Sequence, residues 1–180
     1  MGSVIMMIVL LAAAAFWWYV STGNRFARLS VKIAESASGI DVALTQRWDT
    51  LTKMLDVTKG YARHEAEVLG DVVKLRQGMS MGERNDASAR MDEVAGRLNV
   101  LVENYPELKS SENFIQLQHS IKDAEDQLQA ARRIHNMNVS RFNQLLASWP
   151  FSIVGNGRGY APAEFFVADP IRRGDVKMEF

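Results

Sequence analysis

Hydrophobic positions recur every three or four residues along most of the chain. From residue 26 to 75 one stripe runs Phe26, Ser30, Ile33, Ala37, Ile40, Leu44, Arg47, Leu51, Met54, Thr58, Tyr61, Glu65, Val68, Val72 and Leu75. That spacing is one face of an α-helix packed along a partner. No proline interrupts it, and Gly39, Gly60 and Gly70 each weaken it by only about 1 kcal/mol relative to alanine. The pattern predicts a long helix over 26–77, broken by "GMSMGERND". A second helix, over 83–105, carries Ala87, Met91, Val94, Leu98, Leu101 and Tyr105 on its stripe. It stops at "NYPELKSS", because Pro106 cannot continue the backbone hydrogen bonding and also restrains Tyr105. A third helix is predicted over 111–148, capped by Ser110 or Ser111. Its stripe is Phe114, Leu117, Ile121, Ala124, Leu128, Ala131, His135, Asn138, Phe142, Leu145 and Trp149.

All three stripes average 3.5 residues, the spacing of helices packed in coiled-coil fashion. No strand-like alternation of useful length competes with them. The fold class expected is all-α: an N-terminal transmembrane helix continuing without a break into an antiparallel three-helix bundle. Its order is up-down-up, with a shorter return helix and an extended "PELKSS" segment bringing the chain partway back down. In that arrangement the third helix packs on the upper part of the first. The lower part, near Ile33 and Ile40, is left without a partner in its own chain. An unpaired apolar stripe of that kind predicts self-association.

Ahead of the first stripe the pattern changes. Residues 4 to 20, within "SVIMMIVLLAAAAFWWYVST", are wholly apolar or aromatic, and no Asp, Glu, Lys or Arg precedes Arg25. At about 1.5 Å per residue, residues 3 to 22 span roughly 30 Å, the thickness of the hydrocarbon layer. The stretch closes on Trp17, Trp18 and Tyr19, residue types that favour the headgroup level. A retained transmembrane anchor over residues 1–24 is the favoured reading. A cleaved signal peptide would begin with positive side chains, and none is present. An N-myristoylation signal fails at Met6, where Ser or Thr is needed. Arg25, Arg28 and Lys32 follow the anchor closely, so the positive-inside rule puts the N-terminus outside and the soluble part, residues 25–149 and a tail of 150–180, in the cytoplasm.

Composition changes the picture little. Net charge is zero; that removes any electrostatic reason to expect nucleic acid, and Arg132-Arg133 and Arg172-Arg173 are too small to restore one. There is no cysteine, hence no disulfide framework, thiol nucleophile or cysteine metal site. The histidines are His64, His119 and His135, and none has another three or four residues away as a helix-borne zinc site would need. "HE" at 64 and 65 lacks the second histidine of a zinc protease, and "GNGRG" follows no strand. No catalytic, cofactor-binding or metal-ligating residue is assigned, and an enzyme is not expected.

Five polar residues interrupt the apolar stripes: Arg47, Thr58, Glu65, His135 and Asn138. Three readings stay open. They lie at a shallow rim, they are buried and mutually hydrogen-bonded to set the register of the bundle, or they hold a ligand. The tail "PFSIVGNGRGYAPAEFFVADP" is rich in Gly and Pro yet carries Phe151, Tyr160, Phe165 and Phe166. A disordered tail would have few such rings. It is expected to fold back onto the end of the bundle, with an aromatic docking patch as the alternative; residues 170–180 look frayed.

Four segments carry a family resemblance: "ESASGIDVALTQRWD", "VTKGYARHE", "YPELKSSENFIQLQ" and "WPFSIVG…RGYAPAEFF". In this order, behind one N-terminal anchor, they resemble the LemA family of bacterial membrane proteins. The resemblance implies an all-helical domain on one transmembrane helix, N-out and C-in in at least some members, and no known catalytic residues. It also implies membrane-associated partners such as proteins carrying a TPM domain. Where the family pattern has proline this chain has Thr52, which predicts a straighter first helix; where a tryptophan is common it has Ala37, which thins the lower stalk. His135 and Asn138 replace the Tyr and Ala that the family favours. The function expected is a membrane-anchored helical scaffold or adaptor at the bacterial inner membrane; the alternative is a regulatory or sensor subunit of a membrane protease or transporter.

Overall fold

The computed structural model describes residues 1–60 and 79–167. It contains α1 (Gly2–Lys59), α2 (Met81–Glu103), α3 (Pro106–Lys109), α4 (Glu112–Ala147) and α5 (Phe151–Gly157). There is no strand among the described residues, in keeping with the all-α expectation. The predicted continuation of the first helix over 61–77 and the frayed end over 170–180 lie outside the described residues.

α1 has 58 residues, roughly 87 Å at helical rise. Thr52 sits inside it without a break, its hydroxyl donating to the Trp48 carbonyl one turn below at 3.0 Å. The N-terminal part is long and apolar enough to cross a membrane, and none of its most apolar window is buried inside the molecule. A core helix would be covered on at least one face, so this segment is membrane-seeking. Burial begins at Thr22 and Gly23 and then follows the stripe through Phe26, Ile40, Leu44, Arg47, Leu51, Met54 and Thr58, widened by Ala43, Thr50 and Leu55 beside it.

The direction of each helix follows from its pairings. Residues of α4 meet α1 in reverse order, His135 beside Ser36 and Glu125 beside Arg47, so the two are antiparallel. Residues of α2 meet α1 in the same order, Arg84 on Asp41 and Asp92 on Arg47, so α2 runs parallel to α1. This corrects the up-down-up order. α2 begins beside the middle of α1, where Arg84 meets Asp41, and a capping box starts it: Glu83 N–H donates to Ser80 Oγ at 3.2 Å and Ser80 N–H to Glu83 Oε2 at 2.7 Å. "PELK" is not extended either. Pro106 opens the single turn of α3, where its fixed φ suits the first helical position, and Leu108 is driven into the core with no exposed surface. Ser111 is the N-cap residue of α4 but makes no side-chain capping bond.

Three layers of core stack along α1. The top holds Met54, Leu55, Leu98, Leu101, Leu108 and Phe114. The middle holds Ile40, Leu44 and Leu51 of α1, Met81 and Met91 of α2, and Leu128 of α4, with Phe166 from the tail. The bottom holds Phe26, Phe142, Leu145 and Leu146, with Phe151, Tyr160 and Ala163 packed against them. α2 contributes nothing to the bottom layer because it begins higher up. The C-terminal segment fills its place. The lower stalk is therefore not bare: Ile40 is fully buried and Ile33 packs against the bottom cluster. The stripe on which self-association was expected is covered within the chain.

α5 explains "GNGRGY". Its C-terminus is a Schellman motif, with Tyr160 N–H donating to the Gly155 carbonyl at 3.1 Å and Gly159 N–H to Asn156 at 3.0 Å. Gly159 takes φ +75°, the left-handed conformation that the motif needs and side chains resist. Tyr160 is thereby turned inward, stacked on Phe26 at 5.3 Å and edge-on to Phe142 at 5.6 Å.

Candidate functional site

The polar residues of the α4 stripe sit where α1, α4 and the returning tail meet. His135 is 1% exposed and Asn138 7% exposed, which overturns the rim reading for this pair; an amphipathic face buried between two elements has no shallow edge. Nor does the rim hold for Arg47, at 2%, or for Thr58, with no exposed surface. Thr58 meets its needs within its own helix, donating to the Met54 carbonyl at 2.8 Å. Glu65 and His64 lie outside the described residues, and His119 is exposed.

Both members of the α4 pair are hydrogen-bonded across elements. Asn138 Nδ2 donates to the Lys32 carbonyl of α1 at 3.2 Å. His135 Nε2 is 3.3 Å from the Glu164 carbonyl and Nδ1 is 3.2 Å from Ser36 Oγ. A carbonyl only accepts, so Nε2 carries the proton; Nδ1 faces the Ser36 hydroxyl, which also donates to the Lys32 and Ile33 carbonyls of its own helix at 2.8 and 2.9 Å. Burial holds the His135 pKa below its ordinary value; the Glu164 carbonyl opposes this, and the positive charge of Arg84 adds to it.

The tail is bound by three asparagines that the apolar pattern did not single out. Asn143 takes Ala163 by both backbone groups, with Nδ2 to the carbonyl at 2.9 Å and N–H to Oδ1 at 2.8 Å. Asn136 takes Phe166 in the same way, both bonds 2.9 Å. Asn85 of α2 then accepts from Val167 N–H at 3.2 Å. A side-chain amide carries a donor and an acceptor side by side, so each asparagine imitates a neighbouring strand. The spacing fits: seven residues along α4 rise about 10 Å, and three along an extended segment cover about 10 Å. Phe166 is 2% exposed beneath this strap, while Phe165 points out at 44%. Arg132 lies over the Phe166 ring at 4.7 Å. Three of the four tail rings thus turn inward, which is the fold-back that the aromatic content implied. Two asparagines seven apart on α4 were the signal in the sequence, and it is readable only once the tail is known to lie beside them.

Higher up, Arg47 crosses between helices. Its Nη2 is 2.5 Å from Asp92 Oδ1 of α2 and 3.5 Å from Glu125 Oε1 of α4. Asp41 grips Arg84 with two bonds of 2.6 and 2.7 Å, and this pairing raises the Arg84 pKa above its ordinary value. These are joints between helices. Among the described residues no three His, Cys, Asp or Glu side chains come close enough to hold a metal ion.

Two results test the site directly. Because the folded chain keeps His135 neutral, the unfolded chain binds the proton more readily, so this contribution is complete above about pH 6.5 and declines as pH falls below it. The melting temperature should drop between pH 7.5 and 5.5 by more in the native chain than in His135→Gln; equal drops would show that another group titrates. In Asn136→Ala two hydrogen bonds of about 1 kcal/mol each are lost, so the Phe166 amide should exchange with deuterium about thirtyfold faster. Unchanged exchange would mean that the strap is held by its aromatic rings alone.

Protein LemA of Metamycoplasma hominis is 29% identical over 163 residues, 88% of this chain and 74% of that protein. Magnetosome protein MamQ of Magnetospirillum gryphiswaldense is 28% identical over 75 residues, 42% of this chain and 28% of that protein. MamQ 1 of Paramagnetospirillum magneticum is 29% identical over the same length. The family model described as LemA family matches residues 36–180, from the middle of α1 through the strap, and the chain belongs to that family.

Proposed function

We propose that this protein is a membrane-anchored helical scaffold or adaptor of the bacterial inner membrane, working by contact and not by covalent chemistry. One observation carries the reading: anchor and first bundle helix are a single unbroken helix, Gly2–Lys59. Burial starts at Thr22, two residues beyond the apolar stretch, and Trp18 and Tyr19 of the anchor already touch Phe151 and Arg158. No linker intervenes, so a partner bound to the rod is held at a set height and rotation above the lipid. An adaptor that only needed tethering would do as well on a flexible segment. The positive residues after the anchor favour a cytoplasmic rod.

The test is to insert four glycines between Ser21 and Thr22 in the full chain and quantify crosslinks to other membrane proteins in native membranes. The scaffold reading expects stoichiometric crosslinks in the native chain that fall severalfold on insertion, while the bundle, which loses only the Trp18 and Tyr19 contacts, stays folded. Equal yields in both chains would remove the case for a rigid mount. The second reading, a regulatory or sensor subunit of a membrane protease or transporter, draws on the buried histidine joining α1, α4 and the strap. It expects one substoichiometric enzyme partner whose capture changes with pH.

A further inference from the structure

At the foot of the bundle an open cleft of about 500 Å³ lies between α1 and α4. Its walls include Arg25, Arg28, Lys32 and Arg141, with Leu29 and Phe151, and no carboxylate lines it. Among the described residues none of these four cations forms an ion pair. Arg47, Lys59, Arg84 and Arg97, by contrast, each face a carboxylate. Four uncompensated cations around one concavity repel each other, and an anion relieves that repulsion.

The position of the cleft says which anion. Apolar residues end at Val20, so Arg25 lies about 8 Å and Lys32 about 18 Å further along the axis. The headgroup layer beyond each hydrocarbon face is about 5–8 Å thick. Side chains of α1 lean toward its N-terminus, here toward the lipid, and Arg and Lys extend their heads to the interface. α5 sits at the same depth, since Phe151 meets Trp18 at 6.1 Å. Next along the chain from the cleft residues Ser148 and Phe151, Trp149 is 80% exposed and Ile153 60% exposed, apolar surface that a lipid interface would cover. We propose that this cleft is a binding site for the phosphate group of an anionic phospholipid, with Trp149 and Ile153 seated among the acyl chains. The proposal rests on the membrane anchoring above; retention of the chain in vesicles through alkaline carbonate washing tests that anchoring by itself.

The binding experiment uses the full chain in neutral detergent, titrated with dioleoyl phosphatidylglycerol or dioleoyl phosphatidylcholine and read by native mass spectrometry. Phosphatidylglycerol should bind at least tenfold more tightly. Each basic side chain near an anionic lipid surface is worth about fivefold, so Arg28→Gln with Arg141→Gln should weaken that binding about twenty-five-fold. Arg25→Gln with Lys32→Gln serves as an independent second pair. Lys53→Gln with Lys122→Gln, exposed and remote, should change it less than twofold. Equal affinity for the two lipids, or unaltered phosphatidylglycerol binding in both cleft variants, would overturn the proposal. Displacement of the lipid by 10 mM inorganic phosphate would overturn it as well, assigning the cleft to a soluble anion.

Discussion

Phe26→Ala is expected to destabilise the soluble domain by about 3–5 kcal/mol, the range for removing a fully buried aromatic ring. Phe26 has no exposed surface. It meets Phe142 edge-on at 5.8 Å and Tyr160 face-on at 5.3 Å, and such ring pairs add about 0.5–1.5 kcal/mol beyond their area. The site cannot readily collapse, because Gly155 already packs so closely that a Cβ there would lie 3.0 Å from the Phe26 ring. The ring also joins all three elements of the bottom layer, so its loss should free the tail as well as loosen α4. Urea unfolding of the full chain in detergent, followed by helical circular dichroism, measures the effect. Phe165→Ala, on the outward face of the strap, should stay within about 0.5 kcal/mol. A loss below 1 kcal/mol for Phe26→Ala would mean that the tail does not complete the core at the foot of the rod.

Asp92→Ala should be the most damaging change among the charged residues. It leaves the Arg47 guanidinium, 2% exposed, with only Glu125 at 3.5 Å. Breaking a buried pair by removing one partner costs about 3–5 kcal/mol. Asp92 itself is 26% exposed and Glu125 remains, so about 2–4 kcal/mol is expected. Arg47→Met removes the buried charge instead of stranding it. Both carboxylates can then turn to water, and Arg47 Nε, which has no hydrogen-bond partner, no longer has to be accommodated. That variant should lie within about 1 kcal/mol of the native chain, or above it. Comparable losses in both variants would show that Arg47 stabilises through its own bonds more than it burdens the core.

The contrast between these two residues marks what can be read along a line of amino acids. Phe26 and Arg47 both stand out on the first stripe, since a 3.5-residue spacing names the buried face without any knowledge of the partner. What Arg47 touches is not readable, because Asp92 and Glu125 belong to two other helices and look like ordinary solvated charges on their own. Asn136 and Asn143 were silent for the same reason. Each lies off the apolar stripe of α4, and the segment that they bind has no periodicity from which to infer a register.

An N-terminal helix long and apolar enough to cross a membrane, the helical class and the buried stripe were determined by the sequence, because hydrophobic run length and repeat depend on local spacing alone. Helix direction was not. A heptad stripe packs equally well against a parallel or an antiparallel neighbour, so the choice falls to single contacts such as Asp41 with Arg84, which exist only after folding. The lower stalk was likewise decided by tertiary structure: α2 starts too high to cover it, and the aromatic tail, bound through asparagine amides and a glycine-capped turn, takes the vacant groove.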